Sequence, residues 1–289
     1  MTFVPLITRF DPWQSSLCTC PPKLTLNPYT GCSHNCVYCY ATSYTPHFVK
    51  CNPKKDLLKR VESEATRLNG ETVSISNSSD PYPHYEAELG LTRECLQILS
   101  RNNCKVQLVT KSDLVARDVD ILTKMPCAVA MTITTQDEEA ARLIEPGAPS
   151  PSERLKAIEI LVNKNIPVSV RVDPIIPYVN DNPTQLIATL ANMGVKHVTS
   201  STYKVKRDNW QRFSKAMPSA AEKIKPLYLT KGERVGGSTL LPVDLRLKLM
   251  VQIRSSVINN GMKFGVCREN LEQLNTALCD GSWLLQNQR

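Results

Sequence analysis

Three cysteines stand within eight residues, as Cys32, Cys36 and Cys39 in the segment NPYTGCSHNCVYCYA (27–41). This C-x3-C-x2-C spacing lets three thiolates face one compact metal site from a single loop. Iron–sulfur clusters are held by thiolates, and a [4Fe–4S] cluster has four irons to coordinate. Three local ligands would leave one iron without a protein ligand, so that it could bind another molecule. Catalytic metal sites keep such an open position. The spacing therefore predicts a catalytic [4Fe–4S] cluster.

A zinc site is the alternative for the same cysteines. Structural zinc usually takes four protein ligands, often from C-x2-C pairs. His34 could be a fourth ligand, but it lies between Cys32 and Cys36, which leaves little room around one tetrahedral ion. The iron–sulfur hypothesis is favoured for this reason.

The chain has eleven cysteines, an odd number, in a sequence of 289 residues. Because the first residues lack the pattern of a signal peptide, we expect the cytoplasm and no disulfide scaffold. Cys95, Cys104 and Cys127 lie in apolar stretches and are predicted core residues. If the chain ends meet, an auxiliary cluster could be held by four other cysteines: Cys18, Cys20, Cys267 and Cys279.

The composition is ordinary for a globular protein, with 42% hydrophobic and 21% charged residues. No run approaches 18 uncharged apolar residues, so we expect no membrane span. The formal net charge of +8 suits a polyanionic partner such as DNA or RNA, although a solvated basic surface would give the same value. Basic residues are densest within residues 196–234.

Apolar, β-branched runs alternate with helical patterns through the middle of the chain. About six β/α units predict an α/β fold, a partial (β/α)6 TIM-type barrel with its chemistry at the carboxyl ends of the strands. Proline at 151 and at 183 suits helix starts. The predicted strands are 23–29, 71–77, 105–111, 128–135, 167–174 and 195–204, and the predicted helices are 54–69, 88–103, 115–125, 151–165 and 183–193.

The alternation stops after residue 205, which predicts three parts. These are an N-terminal segment (1–20), a core barrel (21–205) and a mostly helical C-terminal extension packed on the barrel (206–289). Within the extension, we expect helices at 208–224 and 243–260 and a short one around 269–278.

The cysteine motif, with Tyr38 directly before the third cysteine, resembles the radical S-adenosylmethionine (SAM) superfamily. The chain is more closely similar to the spore photoproduct lyase-like branch, often labelled DNA repair photolyase. This resemblance covers roughly residues 20–205 and includes the segments SNSSDPYPHYEAELGLTR (76–93), LVTKSDLVARDVDIL (108–122), ITTQDEEAARLIEPGAPSPSERLKAIEIL (133–161) and VSVRVDPIIPYVND (168–181).

The resemblance implies a radical enzyme. In this superfamily SAM chelates the open iron, and one electron, from a reductant such as ferredoxin or flavodoxin, breaks its C–S bond. The resulting 5′-deoxyadenosyl radical then abstracts a hydrogen atom from the substrate. The protein supplies orientation and excludes water.

Matching positions imply a set of cofactor-binding residues. Ser79 and Asp80 match the position near the methionyl amine, where acceptor oxygens suit an ammonium donor. Lys111 matches a lysine against the methionyl carboxylate. Thr132 stands where the family has a serine, and Tyr38 would lie near the adenine.

One position departs from the family pattern. Spore photoproduct lyases have a hydrogen-donating cysteine two residues before the serine that matches Ser79, and this chain has Asn77 there. An amide N–H bond is too strong to replace a thiol in that role. We therefore expect either another donor, with Cys51 and Cys267 as candidates, or a different reaction.

Three functional hypotheses remain at this point. The first is radical chemistry on a nucleic-acid base, either repair of a DNA lesion or modification of RNA. The second is radical modification of a peptide, protein or small metabolite. The third is a non-catalytic, metal-stabilised nucleic-acid-binding protein.

Overall fold

The computed structural model describes residues 4–10, 17–286 and 288. A central sheet of eight strands has the order β1-β2-β5-β6-β7-β8-β9-β12. Its strands are β1 (Ile7–Arg9), β2 (Leu24–Leu26), β5 (Thr72–Ile75), β6 (Lys105–Thr110), β7 (Cys127–Thr132), β8 (Val168–Ile175), β9 (His197–Thr202) and β12 (Lys263–Val266). Two short hairpins complete the strands: β3 (Tyr29–Thr30) with β4 (Asn52–Pro53), and β10 (Glu233–Val235) with β11 (Ser238–Leu240).

The strands of the sheet are parallel from β2 to β12, and only β1 pairs antiparallel, with β2. Helices cover the outer face, so the strands are buried on both sides, as β7 shows by being buried along its whole length. This mixed architecture with a mostly parallel sheet confirms the predicted α/β partial barrel. The six predicted strands correspond to β2 and to β5 through β9.

The helices mostly follow the sequence signals. Ser150, Pro151 and Glu153 form a capping box with proline at the first position, which explains the sharp start of the fourth predicted helix. The helices are α1 (Leu57–Ala65), α2 (Glu86–Leu89), α3 (Leu91–Arg101), α4 (Val119–Leu122), α5 (Glu138–Ile144), α6 (Pro151–Asn163), α7 (Thr184–Asn192), α8 (Arg207–Ala216), α9 (Pro218–Leu229) and α10 (Val243–Asn259). Within the described residues, no helix is both long and apolar enough to cross a membrane.

The helix predicted at 208–224 is two helices. Met217 leaves the helical region, with φ −133° and ψ 62°, between α8 and α9. Pro218 explains this break, because proline disfavours helical backbone at the residue before it. The break separates α8, which contacts the cysteine loop, from α9.

The helix predicted around 269–278 does not form beyond a 3₁₀ turn at Glu272–Leu274. The following residues instead run along the free edge of β12. Thr276 N–H donates to the Phe264 carbonyl (2.9 Å), and Val266 N–H donates to Asn275 Oδ1 (2.7 Å). Pairing the exposed edge of a strand satisfies buried backbone groups that a helix would leave open.

The C-terminal tail closes the amino-terminal end of the barrel from inside. Gln107 Nε2 donates to the Asp280 carbonyl (2.7 Å), Thr199 Oγ1 donates to the Cys279 carbonyl (2.8 Å), and Trp283 Nε1 donates to His197 Nδ1 (3.1 Å). These hydrogen bonds therefore join the tail to two strands of the sheet, β6 and β9. Strand β12 and this tail come from the predicted C-terminal extension, so the extension forms part of the barrel.

Gly265 permits the closest approach of the tail to β12, and its substitution tests this packing. A Cβ at Gly265 would lie 2.6 Å from Cα of Cys279, so Gly265→Ala must displace the tail backbone. We expect it to lower the free energy of unfolding by about 1–3 kcal/mol, as overpacking does. Chemical denaturation measures the change, with Lys263→Ala on the exposed part of the same strand as control. An unchanged midpoint would show that the tail is not packed this way.

Candidate active site

The cysteine motif lies in the loop after β2, at the carboxyl end of the barrel strands. Backbone hydrogen bonds attach it at two points: Cys32 N–H to the Phe48 carbonyl (2.8 Å) and Val37 N–H to the Ile144 carbonyl (2.9 Å). Gly31, at φ +84°, lies so close to Phe48 that a Cβ would sit 2.5 Å from its carbonyl oxygen. This position requires glycine for both its conformation and its space.

The three thiols differ in exposure, since Cys36 is buried whereas Cys32 and Cys39 are partly exposed. Burial raises the pKa of Cys36 to about 12, although the charge of Lys111 opposes the rise. Coordination to a metal removes this cost, because a coordinating thiol is deprotonated outright. Three such thiols in one loop have the donor chemistry that an iron–sulfur cluster takes.

Helix α8 fixes the backbone of this loop. The Arg212 guanidinium donates to the carbonyls of Cys36 and Cys39 (2.8 Å for Cys39) and to Thr42 Oγ1 (2.6 Å). Asn209 Nδ2 donates to the Tyr38 carbonyl (3.1 Å). The sequence reasoning missed Arg212 and Asn209, because no local signal relates residues about 170 positions apart.

Asp80 joins four protein groups. Its Oδ1 accepts from Tyr82 N–H (3.0 Å) and Thr110 Oγ1 (2.8 Å), and its Oδ2 accepts from Lys111 N–H (2.7 Å) and lies 3.1 Å from His34 Nε2. Burial alone would raise the pKa of Asp80, but His34 and these N–H groups lower it to about 2. These contacts occupy the four lone-pair positions of an ionised carboxylate.

Asp80 thus ties the cysteine loop, through His34, to the end of β6 before Lys111. Ser79 lies beside it, with its hydroxyl 3.5 Å from the Tyr29 carbonyl. The predicted contacts of Ser79 and Asp80 with the methionyl amine stay predictions.

Lys111 and Tyr38 form the centre of a charged group. The Lys111 ammonium lies 5.7 Å from the centre of the Tyr38 ring, and the Tyr38 hydroxyl donates to Glu145. Glu145 also forms an ion pair with Arg154 (2.7 Å), whose guanidinium donates to the Thr132 carbonyl (3.1 Å). Three of the predicted cofactor-binding residues, Tyr38, Lys111 and Thr132, are therefore linked in one network.

The charges in this network stabilise one another. Burial alone would lower the pKa of Lys111, but negative charge at Cys36 and Glu145 raises it. Burial alone would raise the pKa of Glu145, but Arg154 and Lys111 lower it. Both groups are therefore ionised, which leaves a cationic Lys111 beside the cysteine loop.

The opposite wall of the mouth is formed by the ends of β8 and β9. Arg171 and Asp173 form an ion pair (2.5 Å), and Lys204 pairs with the buried Glu269 (2.7 Å). Glu269 also accepts from Thr202 N–H (2.7 Å). The sequence reasoning considered Arg171 and Asp173 but missed Glu269, which follows β12 and reaches this wall only through the fold.

The other cysteines lie in three places. Cys95, Cys104 and Cys127 are buried in the core, as expected. Cys51 lies beside the cysteine loop, with its Sγ 3.5 Å from the Gly31 carbonyl. The chain ends do meet, because the Sγ atoms of Cys20 and Cys279 are 3.9 Å apart.

Comparison with known families identifies the class of this protein. The sequence model of the Radical SAM superfamily matches residues 26–191, more than half of the 289 residues. The chain belongs to the radical SAM superfamily. A [4Fe–4S] cluster and SAM are the cofactors of this superfamily, and the cysteine motif predicts the same cofactors here.

Several relatives share part of the sequence. An uncharacterized protein of Mycobacterium tuberculosis is 28% identical over 198 residues, which cover 62% of this chain and 58% of that protein. An uncharacterized protein of Methanocaldococcus jannaschii is 31% identical over 166 residues, covering 54% of this chain and 61% of that protein. The chain spans less than two thirds of the length of these relatives.

Solved structures share the fold. A spore photoproduct lyase variant with bound AdoMet and dinucleoside spore photoproduct has a TM-score of 0.68 at 14% identity, covering 87% of this chain and 78% of that chain. Streptococcus suis SuiB bound to S-adenosylmethionine has a TM-score of 0.56 at 12% identity, covering 84% and 51%. The superfamily match confirms the expected radical SAM classification, and the first likeness shows that the fold is shared with spore photoproduct lyase.

Arg212 offers a direct test of how the cysteine loop is held. Arg212→Ala removes the donors to Cys36 and Cys39, and we expect the reconstituted cluster to be lost about tenfold faster, since a hydrogen bond from a charged group contributes about 1.5–3 kcal/mol. The measurement is the decay of cluster absorbance under a chelator.

Lys215→Ala, on the exposed part of α8, is the control and should decay like the wild type. Arg212→Lys keeps the charge and should fall between the two. Equal decay rates for all variants at equal thermal stability would contradict the role of Arg212.

Proposed function

We propose that Cys32, Cys36 and Cys39 hold the [4Fe–4S] cluster and that the protein uses SAM to start radical chemistry on a nucleic acid. The observation that carries the first part is the cysteine loop itself, which places three thiols at the barrel mouth beside the cationic Lys111. When bound, the cluster supplies the electron that breaks the C–S bond of SAM. A low-potential reductant such as ferredoxin or flavodoxin would deliver that electron.

The residues around the loop bind and orient SAM in this proposal. Lys111 donates to the methionyl carboxylate, because its ammonium stays charged and lies near Cys36. The hydroxyls of Ser79 and Thr132 accept hydrogen bonds from bound SAM, that of Ser79 from the methionyl amine. The Tyr38 ring packs near the adenine. Asp80 holds Lys111 and His34 in place, so its carboxylate acts on SAM mainly through the loops that it joins.

The substrate class is inferred from charge and from related structures. The chain carries a net charge of +8. Lys206 and the exposed Arg207 begin α8 at the carboxyl end of the barrel, next to the cysteine loop. Among the similar structures, spore photoproduct lyase is complexed with dinucleoside spore photoproduct. A cationic rim at the mouth favours a phosphodiester backbone, which binds mainly through Lys and Arg contacts.

Asn77 favours a reaction other than the repair of spore photoproduct. Its side chain accepts from Ser74 Oγ (3.1 Å) and donates to Thr25 Oγ1 (2.9 Å), so it is held inside the barrel as a structural amide. Hydrogen return, if the reaction needs it, would come from Cys51 or Cys267. The second candidate function, radical modification of a peptide, protein or small metabolite, rests on this same departure.

SAM cleavage tests the proposed cluster ligands. We expect anaerobically reconstituted, reduced wild-type protein to form 5′-deoxyadenosine and methionine from SAM, because Cys36 and its neighbours leave one iron open. Cys36→Ala should reduce the product to the uncatalysed level, measured by chromatography. Cys104→Ala, which removes a core thiol far from the loop, should remain active. Product from Cys36→Ala, or a tightly bound zinc and no product from the wild type, would refute the assignment.

Salt-dependent binding tests the substrate class. We expect DNA or RNA to bind with an affinity that falls steeply with salt. Lys206→Ala with Arg207→Ala should weaken binding and make the slope of log K against log salt shallower by about one to two units, since each phosphate contact contributes about 0.9. Fluorescence anisotropy across a salt series measures both.

The matched control removes equal charge at the other end of the barrel. Lys124→Ala with Lys164→Ala changes two exposed lysines that precede β7 and β8, and should leave the slope unchanged. Equal effects of both double variants would indicate a diffuse basic surface, and salt-independent or undetectable binding would favour the peptide or metabolite reaction.

A further inference from the structure

A second group of thiols forms where the two ends of the chain meet. Cys18 and Cys20 precede β2, whereas Cys267 follows β12 and Cys279 lies in the C-terminal tail. The Cys20 and Cys279 Sγ atoms are 3.9 Å apart, and Cys18 is two residues before Cys20 in the chain. Cys267 stands two residues after Gly265, where an added Cβ would lie 2.6 Å from the Cys279 Cα, and alternate residues of an extended chain point to the same side. Four thiols from distant parts of the sequence thus share one site.

Contacts that do not involve sulfur hold this site together. Lys23 forms an ion pair with Asp280, directly after Cys279, and Gln107 Nε2 donates to the Asp280 carbonyl (2.7 Å). Gly265 lets the Cys279 backbone pack against β12. Because these contacts fix both chain segments independently, the thiols are brought together before any group binds them.

Four basic side chains surround the four thiols, and three of them, Lys23, Arg171 and Lys204, are also paired with carboxylates. The positive charges of Arg268 and Lys23 favour the thiolate form of Cys18, and those of Arg171 and Lys204 favour the thiolate form of Cys267. The Arg171 side chain also forms a hydrogen bond with Cys267. Four thiolates on one metal centre carry excess negative charge, and nearby cations offset it. Thiols that only fill a hydrophobic core, such as Cys127, need no cations around them.

The position of the site relates it to the active site. Cys267 lies near Tyr40, whose neighbour in sequence is Cys39 of the cysteine loop. The second site therefore extends from the amino-terminal end of the barrel, where the tail lies, to Cys267 at the end of β12.

We propose that Cys18, Cys20, Cys267 and Cys279 hold a second iron–sulfur cluster beside the radical site. All four donors are thiols, which are the ligands that iron–sulfur clusters use. The Cys18-x-Cys20 pair is shorter than the C-x2–4-C spacing typical of structural zinc. The proposal is independent of the substrate class. Because it makes Cys267 a cluster ligand, Cys51 remains as the candidate hydrogen donor.

Removal of the first cluster isolates the second site for measurement. In the triple variant Cys32→Ala, Cys36→Ala and Cys39→Ala, the remaining iron after anaerobic reconstitution reports the second site alone. We expect about two to four irons per chain with matching sulfide, as in a [2Fe–2S] or [4Fe–4S] cluster. Adding Cys20→Ser and Cys279→Ser should abolish this iron. Iron and sulfide analysis with Mössbauer spectroscopy provides the readout.

The control adds Cys104→Ser and Cys127→Ser to the triple variant and should keep the iron, since these thiols lie in the core. Circular dichroism confirms that each protein is folded, and a variant that unfolds is replaced by alkylation of the triple variant. Bound iron should protect Cys20 and Cys279 from iodoacetamide.

Three results would overturn the proposal. The triple variant could be folded and bind no iron while the wild type binds about four, the complement of one [4Fe–4S] cluster. It could bind one zinc without sulfide. Mass spectrometry could also find a Cys20–Cys279 disulfide in place of a cluster. None of these results affects the assignment of Cys32, Cys36 and Cys39.

Discussion

The Arg212 guanidinium binds the carbonyls of Cys36 and Cys39, and with Asn209 it holds the cysteine loop against helix α8. A cluster held by three residues of one loop depends on the shape of that loop, because no ligand from elsewhere in the barrel corrects it. Helix α8 ends at Ala216, and the chain breaks at Met217 before Pro218 begins α9. Residues of the C-terminal part of the chain, Arg212 and Asn209, thus hold the cysteine loop, which comes from the N-terminal part.

The second constraint is the balance of buried charge. Lys111, Glu145 and Arg154 alternate in sign between the cysteine loop and the end of β7. Each would be costly to bury alone, and truncation of one partner of such a pair typically costs about 3–5 kcal/mol. The network keeps Lys111 cationic, which is the charge that the proposed contact with the methionyl carboxylate needs. Asp80 performs a similar task by joining the loops on either side.

The sequence predicted the barrel and the cysteine loop well because both depend on local signals. Strands β5 to β9 are apolar runs, the start of α6 has a capping box, and the C-x3-C-x2-C motif lies within eight residues. Arg212 and Glu269 could not be predicted, since their partners are distant in sequence. The prediction of a helix around 269–278 was wrong, because this segment instead forms hydrogen bonds with the free edge of β12. The sequence could not show whether Cys20 and Cys279 lie close together, and in the structure they do.

The central claim is that SAM binds at an open iron held by Cys32, Cys36 and Cys39 and is oriented by Lys111. Electron paramagnetic resonance of the reduced protein, recorded while SAM is added, tests it most directly. We expect SAM to change the g-values of the cluster signal. We expect Lys111→Met to keep the cluster but to need about tenfold more SAM, because one charge-assisted hydrogen bond is lost. A signal that does not respond to SAM, or an unaltered SAM requirement in Lys111→Met, would contradict it.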